Sequence, residues 1–146
     1  MPDTINRFSL VKPTVDTPFH IDFSWWQETD SNWRVFLFSF LCEKHQEDFA
    51  DKSDSFKIDA VDPETAEIRP VDGLLHTLMN HCAQTEDFIP ANLPLIERIF
   101  RTFLANGNEP LSPQQLSDTI DRPAKTILVT IGGHQVYKGI RPLQHK

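Results

Sequence analysis

Glycine is scarce in this 146-residue sequence, with five residues, and cysteine scarcer still, with two. So few glycines argue against a Gly-rich phosphate loop, while eleven prolines punctuate the chain into short elements. Cys42 and Cys82 make no disulfide framework, so a reducing cytoplasm is the expected setting. The longest apolar run, Val35-Phe36-Leu37-Phe38, stops at Ser39 and is far too short to span a bilayer, so no membrane partner is expected. Met1-Pro2-Asp3-Thr4 lacks the basic-then-apolar order of a signal peptide. G-x-S-x-G, H-E-x-x-H, P-loop and dinucleotide motifs are all missing. Asp59, Asp62, Glu64 and Glu67 crowd one stretch where paired carboxylates can hold magnesium. Turns favour acids for other reasons, however, and no recognisable motif sets a lysine or histidine beside them. The expectation is a protein that is not an enzyme.

Acid is also missing from one end. Residues 1–90 hold 17 acids and 7 bases, whereas residues 91–146 hold 4 acids and 7 bases. Beyond Asp121 no acid occurs, while Arg122, Lys125, Lys138, Arg141 and Lys146 give +5. The overall charge of −7 therefore divides into an acidic portion and a basic end. Such asymmetry is a hint of a nucleic-acid-facing end, and equally the mark of a solvated basic tail.

The chain is long enough to bury a core without disulfide or metal. Residues 1–18, with Pro2, Pro13 and Pro18, read as an extended arm. Phe19, Ile21, Phe23 and Trp25 alternate with His20, Asp22 and Ser24, which predicts a strand. A helix is expected from Trp33 towards Phe49, with Trp33, Phe36, Leu37, Phe40 and Leu41 on its buried face. Alternation over 56–61, a turn at 62–65 and a return over 67–69 predict a hairpin. Asp72 opens a helix carrying Leu74, Leu75, Leu78, Met79 and Cys82. Leu95, Ile96, Ile99, Phe100, Phe103 and Leu104 stripe another, which Asn106-Gly107-Asn108 stops. Ser112-Pro113 caps a helix with Leu116 and Ile120 inward. Asp121-Arg122-Pro123 leads to a last helix buried through Ala124, Ile127, Leu128 and Ile131, and 136–142 reads as a strand. A β-hairpin is the alternative at 126–131, which is rich in β-branched residues and precedes Gly132-Gly133.

Helix, short helix, tight turn, helix, strand is the order of a winged-helix or helix-turn-helix module, and the stretch from Pro110 to Leu128 resembles that superfamily. Asp121 stands where glycine often occupies the turn, and the wing is short. The resemblance implies a recognition helix over residues 123–131, lying in a DNA major groove. Helical spacing puts Lys125, Thr126, Val129 and Thr130 on its outer face, with His134, Lys138 and Arg141 placed to grip flanking phosphates of duplex DNA. No Arg, Asn or Gln occupies that face, so strong base specificity is not expected. Winged helices also serve protein contacts alone.

Cys42 and His45 form a C-x2-H pair, and His81 and Cys82 follow 36 positions after His45. Together these four residues match a structural zinc shell, and zinc is the one cofactor the sequence suggests. His81 and Cys82 point about 100° apart on a helix, so both can ligate only at a frayed end. The alternative makes both cysteines small buried hydrophobes. Nine of the eleven Phe residues and all three Trp precede residue 90. On a strand, adjacent Trp25 and Trp26 would face opposite ways, and Phe38 lies off the buried stripe. Trp25, Trp26 and Phe38 are therefore the candidates for a protein interface or homodimer contact, unless the arm covers them. The expected architecture is α+β. It comprises an arm (1–18), an acidic aromatic-rich α+β lobe (19–90) and a winged-helix-like segment (91–146). The expected function is a DNA-binding regulator or adaptor; the alternative is an accessory subunit of a larger protein assembly.

Overall fold

Phe19 and Ile21, both buried, flank half-buried His20 in β1 (Phe19–Ile21). The strand ends there because Asp22 caps a helix, α1 (Phe23–Thr29), accepting the Trp25 N–H at 3.0 Å. A carboxylate that satisfies an orphan N–H at this position starts a helix, so the strand expected to run through Trp25 is corrected to three residues. In the computed structural model, residues 12–49, 57–61 and 68–143 are described. Outside them fall residues 1–11 of the arm, the expected 62–65 turn, and Asp62, Glu64 and Glu67. Asp59 is placed only through its backbone register opposite Pro70.

The aromatic helix expected from Trp33 to Phe49 is two helices, α2 (Trp33–Phe38) and α3 (Glu43–Phe49). Between them Phe40 N–H bonds the Leu37 carbonyl at 3.0 Å and Leu41 N–H the Phe38 carbonyl at 3.1 Å, a tightening that ends the α-helical ladder. The stripe nonetheless faces inward: Trp33, Leu37 and Leu41 are buried, and Phe36 and Phe40 pack on the core. The hairpin is present as antiparallel β2 (Lys57–Val61) and β3 (Ile68–Asp72). Then come α4 (Gly73–Asn80) and a 3-10 turn at Cys82–Gln84.

The next three helices follow the sequence pattern closely. They are α5 (Leu95–Ala105), α6 (Pro113–Ile120) and α7 (Ala124–Ile131). Ser112 Oγ accepts the Gln115 N–H, and Gln115 Oε1 accepts the Ser112 N–H, so α6 opens on a full capping box with Pro113 in its first turn. Asp121 closes it in the left-handed region at φ 64°. Residues 126–131 are helical, so the alternative hairpin does not form. Gly132 ends α7, and after bends the chain forms β4 (Ile140–Pro142). Among the described residues the architecture is thus α+β, with seven α-helices and two separate two-stranded sheets.

β4 pairs antiparallel with β1, Ile21 opposite Ile140, and Leu111 bridges the other side of Phe19. The strand expected over 136–142 is shortened because Lys138 (φ 46°) and Gly139 (φ 84°) turn the chain onto β1. Gly139 is needed there twice over. Its φ disfavours a side chain, and a Cβ would lie 3.0 Å from the Asp22 carbonyl oxygen and 3.1 Å from the Trp26 Cβ. Trp26 centres the core these strands close, its ring packing edge-on against Trp33, Phe36 and Phe100. One buried cluster runs from Phe19 to Ile140, so residues assigned to the lobe and to the C-terminal segment share a core.

Candidate functional site

The outward face of α7 follows from its buried one. Ile127 and Ile131 anchor the helix, leaving Lys125, Thr126 and Val129 exposed, Val129 at 80%. Thr130 is half-buried and its hydroxyl donates to the Thr126 carbonyl at 2.7 Å. His134, just past the helix, is exposed, as is Arg122 in the turn before it. Asp118 and Asp121 are exposed on the neighbouring helix and turn, so the corner carries both signs of charge.

The two remaining candidate DNA contacts are held against the protein itself. Lys138 Nζ sits 4.3 Å from the centre of the Phe36 ring. Arg141 donates to Asp22 Oδ2 at 3.0 Å, and its guanidinium lies 5.3 Å from the Trp25 ring. Arg98 donates to the Ile120 carbonyl at 2.9 Å, satisfying the end of α6. Arg101 bridges Glu97 and the Phe88 carbonyl, over the Phe40 ring. Arg122 and Lys125 are therefore the exposed cations of the described C-terminal residues, and the basic end is in part an internal counter-charge to the acidic portion. The same pairing tunes titratable groups nearby. Burial holds His20 below the ordinary imidazole range; Asp22 opposes this and Arg141 reinforces it. Asp30 is held low by the Asn32 N–H and by the Trp26 indole, with a smaller contribution from the Lys138 charge.

A second constellation lies where α3 meets the end of α4. Cys42 immediately precedes α3 and His45 sits in its first turn, while Cys82 opens the 3-10 turn. Cys42 Sγ and Cys82 Sγ lie 3.0 and 3.3 Å from His45 Nδ1, and all three ligand atoms fall within 4.8 Å of one another. The Cys42 N–H also donates to Cys82 Sγ at 3.2 Å. Burial pushes the Cys82 thiol up to about 11, against the opposing pull of that N–H. Helix α4 stops at Asn80, so His81 and Cys82 do lie past a helix end. His81 is exposed and outside the three-atom cluster, but its ring centre is 5.5 Å from that of His45.

The aromatic interface candidates fare differently. Trp26 is 1% exposed and belongs to the core, which corrects its assignment to a partner surface. Helix geometry rather than strand geometry is the reason, because it lets Trp25 and Trp26 diverge by about 100° instead of facing opposite ways. Trp25 and Phe38 are half-buried and pack against the core. Val35, off the buried stripe of α2, is 69% exposed, a large apolar side chain left at the surface. No family model, curated protein or solved structure matches this chain. Among the described residues no helix is long and apolar enough to cross a membrane.

Proposed function

We propose that the protein is a non-enzymatic DNA-binding regulator or adaptor that presents the α6–α7 corner to duplex DNA, mainly through phosphates. The observation that carries this reading is the outer face of α7, where Lys125, Thr126 and Val129 stand exposed on a helix flanked by exposed Arg122 and His134. A helix of this width fits the major groove, Thr126 and Thr130 offer hydroxyls, and Val129 suits a thymine methyl. With Lys138 and Arg141 held internally, Arg122 and Lys125 supply the lasting positive charge. Two phosphate contacts predict weak binding, with log K falling against log salt at a slope of about −2.

A second reading has its own support. The mixed charge of the corner and the 80% exposure of Val129 suit a protein partner, with the chain as an accessory subunit. Fluorescence anisotropy with a random duplex, at low and at moderate salt, separates the two. On the DNA reading, Lys125→Glu weakens binding and flattens the salt slope by about 1. No binding at low salt overturns the DNA reading in favour of the protein one.

A further inference from the structure

The structure assigns a zinc site to Cys42 Sγ, His45 Nδ1 and Cys82 Sγ, with His81 as the fourth ligand, clamping α3 onto the end of α4. This inference is independent of what α7 binds. It rests first on the meeting of three ligand atoms from segments 37 residues apart in sequence, within 4.8 Å of one another. A tetrahedral zinc with bonds of about 2.3 Å to sulfur and about 2.05 Å to nitrogen spaces a sulfur and a nitrogen about 3.5 Å apart. The observed separations of 3.0 and 3.3 Å need only a few tenths of outward adjustment.

The fourth position follows from the two imidazoles. On one tetrahedral zinc, two histidine rings hold their centres about 5.2 Å apart. His45 and His81 stand at 5.5 Å, and because His81 is exposed, its ring can rotate to bring a nitrogen in without disturbing the core. A set of two sulfurs and two nitrogens in tetrahedral array is characteristic of zinc. The Cys42 N–H directed at Cys82 Sγ is a contact that a thiolate there would keep, and metal binding would release the proton that burial otherwise holds on this sulfur.

The fold also has a use for the clamp. Helix α3 has seven residues, none of them fully buried, and is too short to stand alone, although Phe49 at its end packs against the core. Gln46 bonds the Phe38 and Leu41 carbonyls, which ties α3 back to α2 but not to α4. A zinc shared by Cys42, His45 and Cys82 would lock the contact that already joins the start of α3 to the end of α4.

The test uses the full chain, purified under reducing conditions without chelator. Metal analysis should find about one zinc per chain, and cobalt(II) added to the apo-protein should give the visible bands of a tetrahedral thiolate site. His45→Gln and His81→Ala should each weaken cobalt binding at least about tenfold, His81→Ala without loss of fold because the side chain is exposed. Cys42→Ser should remove most of the thiolate-to-cobalt charge-transfer intensity. Less than about half an equivalent of zinc together with no tetrahedral cobalt spectrum overturns the proposal. So does a Cys42–Cys82 disulfide, seen as a chain lighter by two hydrogens, in protein that takes up no metal after reduction. Unchanged affinity in His81→Ala would overturn the four-ligand assignment.

Discussion

Helix α6 carries its own punctuation, whereas α2 and α3, between Trp33 and Phe49, depend more on what lies across the core. Helix α6 has a capping box, proline in its first turn and a left-handed stop at Asp121, and Gly132 ends α7. Helix α2 has six residues and no side-chain cap, and α3 buries nothing. Helices of that length do not persist alone in water. What holds α1 and α2 is the aromatic cluster of Trp26, Trp33 and Phe36 gathered on Phe100 of α5. The ends of α6 are encoded along the chain and the hold on α2 across it, so mutations should act differently in the two.

The harshest break to this contrast is Trp26→Ala. It should cost about 3–5 kcal/mol in chemical denaturation, with loss of near-ultraviolet circular dichroism from the neighbouring Trp residues. A cost under about 1 kcal/mol would show that α1 and α2 do not rely on the cluster. Next comes Gly139→Ala, at the turn that brings β4 onto β1. The left-handed backbone alone costs about 1–2 kcal/mol, and contact with the Asp22 carbonyl and the Trp26 Cβ should add to it. Protection of the β1–β4 amides from hydrogen exchange should fall with it.

Ser112→Ala sharpens the other side of the comparison. Its expected cost is about 1 kcal/mol, with faster amide exchange confined to the first turn of α6. Asp121→Gly should run the opposite way, gaining a few tenths to about 1 kcal/mol because glycine takes φ 64° without a Cβ penalty. The smallest effect concerns pH. His20 has a lowered pKa in the fold, so its neutral form is favoured there and its contribution is complete above the unfolded value of 6.5. As pH falls through the lower folded value, protonation should withdraw that stability from the β1–β4 joint. His20→Asn should flatten the dependence of the denaturation midpoint over that range. An unchanged pH profile would place the acid sensitivity elsewhere.

Much of the fold is legible from short-range pattern. The stripe over 95–104, the Ser112-Pro113 start and the stop at Asn106-Gly107 each act within a few residues, and all are met in the structure. Alternation over 56–61 likewise places a strand at Lys57–Val61. The aromatic segment misleads because Phe and Trp fit strands and buried helix faces alike. Asp22, read as the polar side of a strand, is instead a helix cap. The C-x2-H pair was visible along the chain, but its meeting with Cys82 was a matter of where α4 ends.

The division of charge, too, is a property of the sequence, and so are the two cysteines and the helices of residues 95–120, whereas the choice of helix over hairpin at 126–131 came with the structure. Tertiary structure decided the destination of the basic residues. Lys138 and Arg141 turn back to Phe36, Asp22 and Trp25 because β4 pairs with β1 across almost the whole chain. It also decided that Cys82 meets Cys42 and His45. Caps and periodicity act over one or two helical turns, whereas a pairing between distant segments is selected by closure of a shared core. That closure buries Trp26 and pairs β1 with β4.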